Sequence, residues 1–364
     1  MAKRRRKARS PALAGCFGWS LLLLLMAAVA IFLTSTGKRW LSFFIAQPVS
    51  EKGGFWQVYF TSETDPEMAL SDLIKQADST VWMAFYELNN PSVVLALLDV
   101  KDKVDVRIVV ESDNADSWGI QRLKEANIPI KGDGRKPLMH NKFAVIDGSV
   151  VWTGSYNLTP GGSHENYDNA LVIYSRALAQ NYQKEFLEMW HGQFGGSSPR
   201  NTQCCFLVDS TRIENYFAPE DGVASHLLSE LSKARKQIVF MAYSFTDKKI
   251  AGIITQKHNA GLDVQGIFNW RQKNDKYSVW PQLSQAGIPV YFSPTERTLH
   301  HKVMVIDSQT VITGSFNFTK SANKRNDENL LIISSRALAL AYLREFARIK
   351  SRSHAAITTV QLLP

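Results

Sequence analysis

The chain has 364 residues, 45% of them hydrophobic and 11% aromatic, enough to bury a large core, which excludes a disordered polypeptide. Its formal charge of +9 points to an acidic partner only until the charge is located: residues 1–50 hold 8 Lys/Arg and no Asp/Glu, leaving 42 − 8 = 34 basic against 33 acidic residues. The globular part is therefore close to neutral, which argues against tracking a nucleic-acid backbone over a broad basic surface.

At the N-terminus, Lys3, Arg4, Arg5, Arg6, Lys7 and Arg9 precede an uncharged stretch from Pro11 to Gly37 centred on Leu21–Met26. About twenty apolar residues span a bilayer as a helix, and basic residues on the N-terminal side hold that end in the cytoplasm. Residues 1–50 are expected to form a cytoplasmic basic tail and a transmembrane anchor. The rest of the chain then lies in a periplasmic, lumenal or extracellular space. A cleaved signal peptide competes, because Ala28-Val29-Ala30 has the small-x-small form, and cleavage would release a secreted protein. The apolar run continues through Ile31, Phe32 and Leu33, which favours the anchor. Leu13-Ala14-Gly15-Cys16 precedes the apolar run and does not read as a lipidation box.

Downstream, Asp65 followed by Pro66 marks a helix start, with Asp as cap and Pro at the first helical position. Runs of β-branched residues predict strands near Val81–Tyr86, Val104–Val110, Lys142–Ile146 and Ala170–Tyr174, and the pattern predicts a closing helix over Arg176–Trp190. Gly195-Gly196-Ser197-Ser198-Pro199 reads as a linker. The chain then repeats itself. His140-Asn141-Lys142-Phe143-Ala144-Val145-Ile146-Asp147 recurs 160 residues later as His300-His301-Lys302-Val303-Met304-Val305-Ile306-Asp307. Gly154-Ser155-Tyr156-Asn157 recurs at the same offset as Gly314-Ser315-Phe316-Asn317, and Met83-Ala84-Phe85-Tyr86 is echoed by Met241-Ala242-Tyr243-Ser244. Alternating strand and helix patterns make each copy an α/β unit with a mostly parallel or mixed sheet. The expected domains are residues 51–192 and 204–352, with a linker over 193–203 and a tail over 353–364.

Side chains two apart on a strand share a face, so His140 projects with Lys142, and His300 with Lys302. Ser155 with Asn157, and Ser315 with Asn317, have the same spacing. Asp147 and Asp307 project the other way and are expected to support structure. Two imidazoles, two lysines and two asparagines suit phosphoryl transfer without a metal or other cofactor. One neutral imidazole attacks phosphorus while the other, protonated, releases the alcohol; water activated by the second histidine then hydrolyses the phosphohistidine. Lys142, Lys302, Asn157 and Asn317 would hold the phosphoryl oxygens, with Ser155 and Ser315 as possible further substrate contacts. A catalytic histidine also needs a partner to fix its tautomer. Asp168 and Glu328, each 28 residues after its histidine, are the candidates, and pairing within a copy or between copies stays open.

The pattern His-x-Lys-x4-Asp-x6-Gly-Ser-x-Asn, present twice, resembles the signature of the phospholipase D superfamily, here over roughly residues 55–350. The resemblance implies two phospholipase D-like α/β sandwich units related by a pseudo-two-fold axis, a phosphohistidine intermediate and no metal. With its short spacings the chain looks more like the compact bacterial members. Because both units lie in one chain, a monomer suffices for a complete site.

The implied activity is that of a phosphoric diester hydrolase cleaving phospholipid headgroups, by hydrolysis or transphosphatidylation, with membrane phospholipid as substrate. A nuclease using the same residues on DNA or RNA, and a cardiolipin synthase-like phosphatidyl transferase, are the alternatives. Near-neutral charge favours lipid. His301 is expected to face away from the site. His164, His191, His226, His258 and His354 have no counterpart in the other copy and read as surface or core residues. Tyr86 or Ser244 could line the mouth. Cys16 falls in the membrane segment, and the adjacency of Cys204 and Cys205 disfavours a disulfide; no zinc-ligand spacing is present.

Overall fold

Short runs of Val, Ile, Leu and Phe, too brief for helices and bounded by turn residues, become strands in both repeats. The computed structural model describes residues 48–355. The membrane segment expected within residues 1–50, and residues 356–364, lie outside the described residues. Among the described residues, no helix is long and apolar enough to cross a membrane.

The first repeat forms a seven-stranded sheet in the order Phe55–Phe60, Asn169–Tyr174, Val150–Gly154, Lys142–Ile146, Thr80–Phe85, Asp105–Val110, Ile130–Gly132. In the second repeat the same order recurs in Thr211–Ala218, Glu328–Ser334, Thr310–Gly314, Lys302–Ile306, Gln237–Ala242, Asp263–Phe268 and Val290–Phe292. Val49–Glu51 and Cys205–Val208 extend that second sheet at one edge, and His354–Ala355 at the other. Both sheets are mixed. Thr80–Phe85 pairs in parallel with Asp105–Val110 and antiparallel with Lys142–Ile146.

Strand alternation decides how the sheets pack. Phe143 and Val145, with Val303 and Val305, face one shared core containing Tyr182, Phe186, Tyr342 and Phe346. Ala144 and Ile146 face the opposite way into the first repeat's outer core, and Met304 and Ile306 into the second's. Those aromatic residues come from the long helices Arg176–Trp190 and Arg336–Lys350, which start where Ser175 and Ser335 accept hydrogen bonds from the Leu178 and Leu338 amides at 3.2 and 3.3 Å. Removing a fully buried ring such as Phe143 would cost about 3–5 kcal/mol.

Two local expectations need correction. The helix Pro66–Lys75 does begin at Pro66, but the Asp65 side chain makes no capping bond. Residues 195–199, read as a linker, are held in place: Gly195–Ser197 forms a 3-10 turn, Phe194 is buried, and the Gly195 amide donates to Asp327 Oδ1 at 2.5 Å. Cys204 and Cys205 are joined in a disulfide. Cys205 opens a strand while Cys204 precedes it, so the alternation that parts neighbouring side chains does not apply there.

Candidate active site

Phe85 pairs with Lys142, and Ala242 with Lys302, so each His-x-Lys motif emerges where a central strand ends. The strands begin at the lysines; each histidine stands just before, in a stretch held by the other repeat. The His140 amide donates to the Asp327 carbonyl, and the His300 amide to the Tyr167 carbonyl, both at 2.9 Å. Two short parallel pairings, Met139 with Asp327 and Thr298–Leu299 with Asn166–Tyr167, tie the repeats together at this point. Backbone geometry thus sets each histidine beside the acidic residue of the opposite copy.

The side chains follow. His140 Nδ1 lies 2.8 Å from Glu328 Oε2, and His300 Nδ1 lies 2.9 Å from Asp168 Oδ1. Both contacts cross between repeats, which resolves the pairing the sequence left open. Each bond leaves Nε2 as the ring nitrogen turned away from the carboxylate. Lys142 Nζ stands 3.0 Å from His140 Nε2 and donates to the His140 carbonyl at 3.1 Å; Lys302 Nζ donates to the His300 carbonyl at 2.9 Å. All four side chains are at least nine-tenths buried.

Ser155 and Ser315 bond to the carboxylates of the site. Ser155 Oγ donates to Asp168 Oδ1 at 2.5 Å, Ser315 Oγ donates to Glu328 Oε2 at 2.7 Å, and both serines are fully buried. They hold the carboxylates that hold the histidines. Alternation misled here because the strands end at Gly154 and Gly314, leaving the serines outside the pleat. The glycines are required at those ends: a Cβ on Gly154 would lie 2.3 Å from the Asn169 carbonyl oxygen, and one on Gly314 2.3 Å from that of Asn329. The asparagines of the motif differ between copies. Asn157 Oδ1 is buried without a partner, whereas Asn317 Oδ1 accepts from the Ser244 amide at 2.9 Å.

Asp147 and Asp307 stand in turns just past their strands, at φ +51° and +53°. The Asp147 carboxylate accepts from the amides of Asp78, Ser79 and Thr80, and that of Asp307 from the amides of Arg235, Lys236 and Gln237. Neither faces the histidines. His301 is fully buried beside the site, with Nδ1 3.1 Å from Asn169 Oδ1 and Nε2 3.4 Å from Glu345 Oε1. Its counterpart Asn141 accepts from Asn329 Nδ2 at 3.0 Å. Asn169 and Asn329 escaped the sequence reading, although each follows its acidic residue by one position at the common offset.

Tyr86 stands at the site as the sequence allowed, but its counterpart is Tyr243 and not Ser244. The Tyr86 ring lies 5.0 Å from the His140 ring, and Tyr243 5.5 Å from His300, with Lys142 and Lys302 over the same tyrosines at 5.2 and 5.6 Å. Strand register equates Phe85 with Ala242, hence Tyr86 with Tyr243 and not with Ser244. The matching letters Met83-Ala84 and Met241-Ala242 are one residue out of register.

Burial dominates the electrostatics. It lowers the proton affinity of His140 well below that of an ordinary imidazole, with Lys142, Lys302 and His300 adding to the effect. Burial likewise pushes His300 down to about 4, against the pull of Asp168. Lys142 falls to about 8 and Lys302 to about 7, again chiefly through burial. Burial would raise Asp168, but His300 and Lys302 outweigh it and hold the carboxyl below its ordinary range. For Glu328 burial prevails and lifts it to about 8. Burial thus favours the uncharged form of both imidazoles, and Lys142 and Lys302 supply what positive charge lies beside them, a setting suited to an anion.

A family model described as "Cardiolipin synthase, PLD-like domain" matches residues 70–190 and again 227–350. The chain belongs to the phospholipase D-like superfamily. Phospholipase D of Rickettsia prowazekii (strain Madrid E) is 34% identical over 148 residues, covering 41% of this chain and 72% of that protein. A mitochondrial cardiolipin hydrolase of Xenopus laevis is 34% identical over 131 residues, 34% of this chain and 62% of that one. Among solved structures, phosphatidylserine synthase of Haemophilus influenzae Rd KW20 superposes with a TM-score of 0.66 at 13% identity, covering 85% of this chain and 89% of the other, a likeness of fold.

Proposed function

We propose that this phospholipase D-like enzyme cleaves phospholipids at the headgroup phosphodiester through a phosphohistidine, passing the phosphatidyl group to water or to a second alcohol. The observation that carries this reading is the crossed pairing of His140 with Glu328 and His300 with Asp168, which makes one site from two repeats.

One imidazole attacks phosphorus through its free Nε2, while the carboxylate on Nδ1 steadies the positive charge the ring acquires. The other histidine binds protonated once the phosphate anion is present and gives its proton to the leaving alcohol oxygen. Breaking the P–O bond leaves a phosphohistidine and a neutral alcohol. The second histidine, now neutral, takes a proton from water or an acceptor alcohol as that oxygen attacks phosphorus, and the first histidine leaves. Lys142 and Lys302 neutralise the phosphoryl oxygens, with Asn157 and Asn317 as further donors. Ser155 and Ser315 act through the carboxylates, and Asp147 and Asp307 through the fold.

The lipid assignment is supported by the relatives named phospholipase D and cardiolipin hydrolase, and by the neutral charge balance of the globular part. Residues 1–50 would anchor the chain to a membrane, with residues 51–192 and 204–352 as two units about a pseudo-two-fold axis on its extracytoplasmic side. One chain would form the whole site.

The test sets the full-length protein against phosphatidylglycerol or phosphatidylcholine vesicles and against labelled single-stranded DNA, with His140→Ala and His300→Ala controls. Headgroup release without DNA cleavage, unaffected by a chelator, is expected; DNA cleavage without headgroup release would overturn the lipid assignment.

A further inference from the structure

The Ser155 hydroxyl has one proton and two acceptors within reach. Asp168 Oδ1 lies at 2.5 Å and Asn169 Oδ1 at 3.2 Å, while the Asn169 amide donates to Ser155 Oγ at 3.1 Å. The equivalent Ser315 meets no such competition: its proton goes to Glu328 Oε2 at 2.7 Å, and the Asn329 side chain turns Nδ2 towards the same Oγ at 3.4 Å. The two asparagines are therefore turned in opposite senses. Asn169 gives its Nδ2 to the Tyr342 hydroxyl and to Thr313 Oγ1 at 3.0 and 3.2 Å. Asn329 uses its Oδ1 on that side, accepting from Thr153 Oγ1 and the Tyr182 hydroxyl at 2.8 and 3.3 Å.

The residue that differs is the middle one of each His-x-Lys motif. An amide oxygen only accepts, so His301 Nδ1, 3.1 Å from Asn169 Oδ1, is the donor of that pair. Asn141 takes the opposite part, its Oδ1 accepting from Asn329 Nδ2 at 3.0 Å. Each middle residue thus matches the turn of the asparagine it meets across the repeats. His301 is steadied from behind: Nε2 lies 3.4 Å from Glu345 Oε1, Ser62 Oγ donates to both oxygens of that carboxylate, and Arg348 Nη1 donates to Oε2 at 2.7 Å. His301, Asn169, Ser155 and Asp168 are fully buried, so bulk water does not replace a partner that one of them loses.

We propose that His301 is a positioning residue for the reaction. Its Nδ1 proton occupies Asn169 Oδ1, which leaves the Ser155 proton to Asp168 Oδ1, the oxygen that holds His300 Nδ1 at 2.9 Å. Without that donor Asn169 Oδ1 draws on the Ser155 hydroxyl, and Asp168 loses part of a charge-assisted bond that fixes the orientation of His300. The effect is confined to the His300 half, because Glu328 and Ser315 have Asn329 and Asn141 behind them. The proposal rests on the two-histidine reading of the site and not on the lipid assignment.

Two substitutions separate the nitrogens of the ring. Asn places its Nδ2 near where His carries Nδ1, and Gln places its Nε2 near where His carries Nε2. His301→Asn therefore keeps a partner for Asn169, and His301→Gln keeps one for Glu345. The full-length protein in detergent is assayed with bis(p-nitrophenyl) phosphate, and its ring-proton resonances are recorded after ¹⁵N-histidine labelling. His301→Gln should lower kcat about tenfold with KM unchanged, shift the Nδ1 proton of His300 and leave that of His140 in place. Adding Ser155→Ala to it should cost less than about twofold more, since the two act on one bond. His301→Asn should keep kcat within about threefold and the His300 resonance in place, although losing the Glu345 contact lowers its melting temperature. Lower stability in both variants, with the kcat of folded protein and the His300 resonance unchanged, would overturn the proposal, and so would equal losses of kcat in the two. Wild-type protein that cleaves no phosphodiester would instead sink the two-histidine reading, and the His300 resonance in His301→Gln then decides the proposal by itself.

Discussion

His300 Nδ1 and Asp168 Oδ1 meet at 2.9 Å although their residues belong to different repeats, so neither repeat alone carries a complete histidine–carboxylate pair. Asp168→Asn should lower kcat by about 100-fold or more, because it loses the charge that stabilises the imidazolium. In a His300→Ala background the same substitution should add little. A double-mutant cycle on kcat checks this, since residues acting as a unit are far from additive.

Ser155 and Ser315 touch the carboxylates and are fully buried. Each Ser→Ala change should therefore lower kcat by about tenfold, near the worth of one hydrogen bond to a charged group, and leave KM unchanged. A raised KM with intact kcat would instead mark them as substrate contacts.

The lysines set the alkaline limit. Burial holds Lys302 at about 7 and Lys142 at about 8, so the free enzyme loses cations as pH rises through that range. On the proposed mechanism the protonated forms bind the phosphate, and kcat/KM should fall as pH rises through about 7 to 8. A bound anion raises both lysines, moving the limb of kcat to higher pH. In Lys302→Arg the charge persists, and the steepness of the kcat/KM fall should lessen even if the rate is lower. Steady-state profiles from pH 5 to 10 on a soluble phosphodiester ester provide the measurement, with the range chosen to span about two units on either side of the lysine values.

Asp147 is held below the ordinary carboxylate range: burial opposes this, and the amides of Asp78, Thr80 and Ser79 outweigh it. Its folded value is thus depressed, so its contribution to stability is present above the unfolded value, about 3.9, and lost as pH falls through the lower folded one. Asp147→Asn should cost about 1–3 kcal/mol in denaturant melts at pH 7 while the rate per folded molecule holds. At pH 2 the difference from wild type should shrink.

What could be read from the sequence was local. The strand Lys142–Ile146 and the helix Arg176–Trp190 were legible because apolar alternation and a capping serine are short-range signals. His140 and Lys142 do meet, as their spacing suggested, although His140 stands before the strand and is placed by its backbone bond to Asp327. The partner of each histidine did not, because contacts such as His140 to Glu328 span 188 residues and depend on how two sheets dock. The bond from Ser155 to Asp168 was not legible since alternation holds only inside a strand, and Tyr243 was passed over since letter identity ignored a difference in loop length between the repeats. The disulfide at Cys204 depends on where a strand begins, which sequence fixes to within a few residues only.

The central claim is that two histidines from two repeats serve one reaction centre. Headgroup release from phosphatidylglycerol vesicles by His140→Ala, His300→Ala and the double variant, each confirmed folded by its melting curve, tests it most directly. A shared centre predicts that each single variant falls by about a thousandfold or more and that the double variant falls little further. Two independent centres would leave each single variant with about half the wild-type rate, and that result would contradict the account.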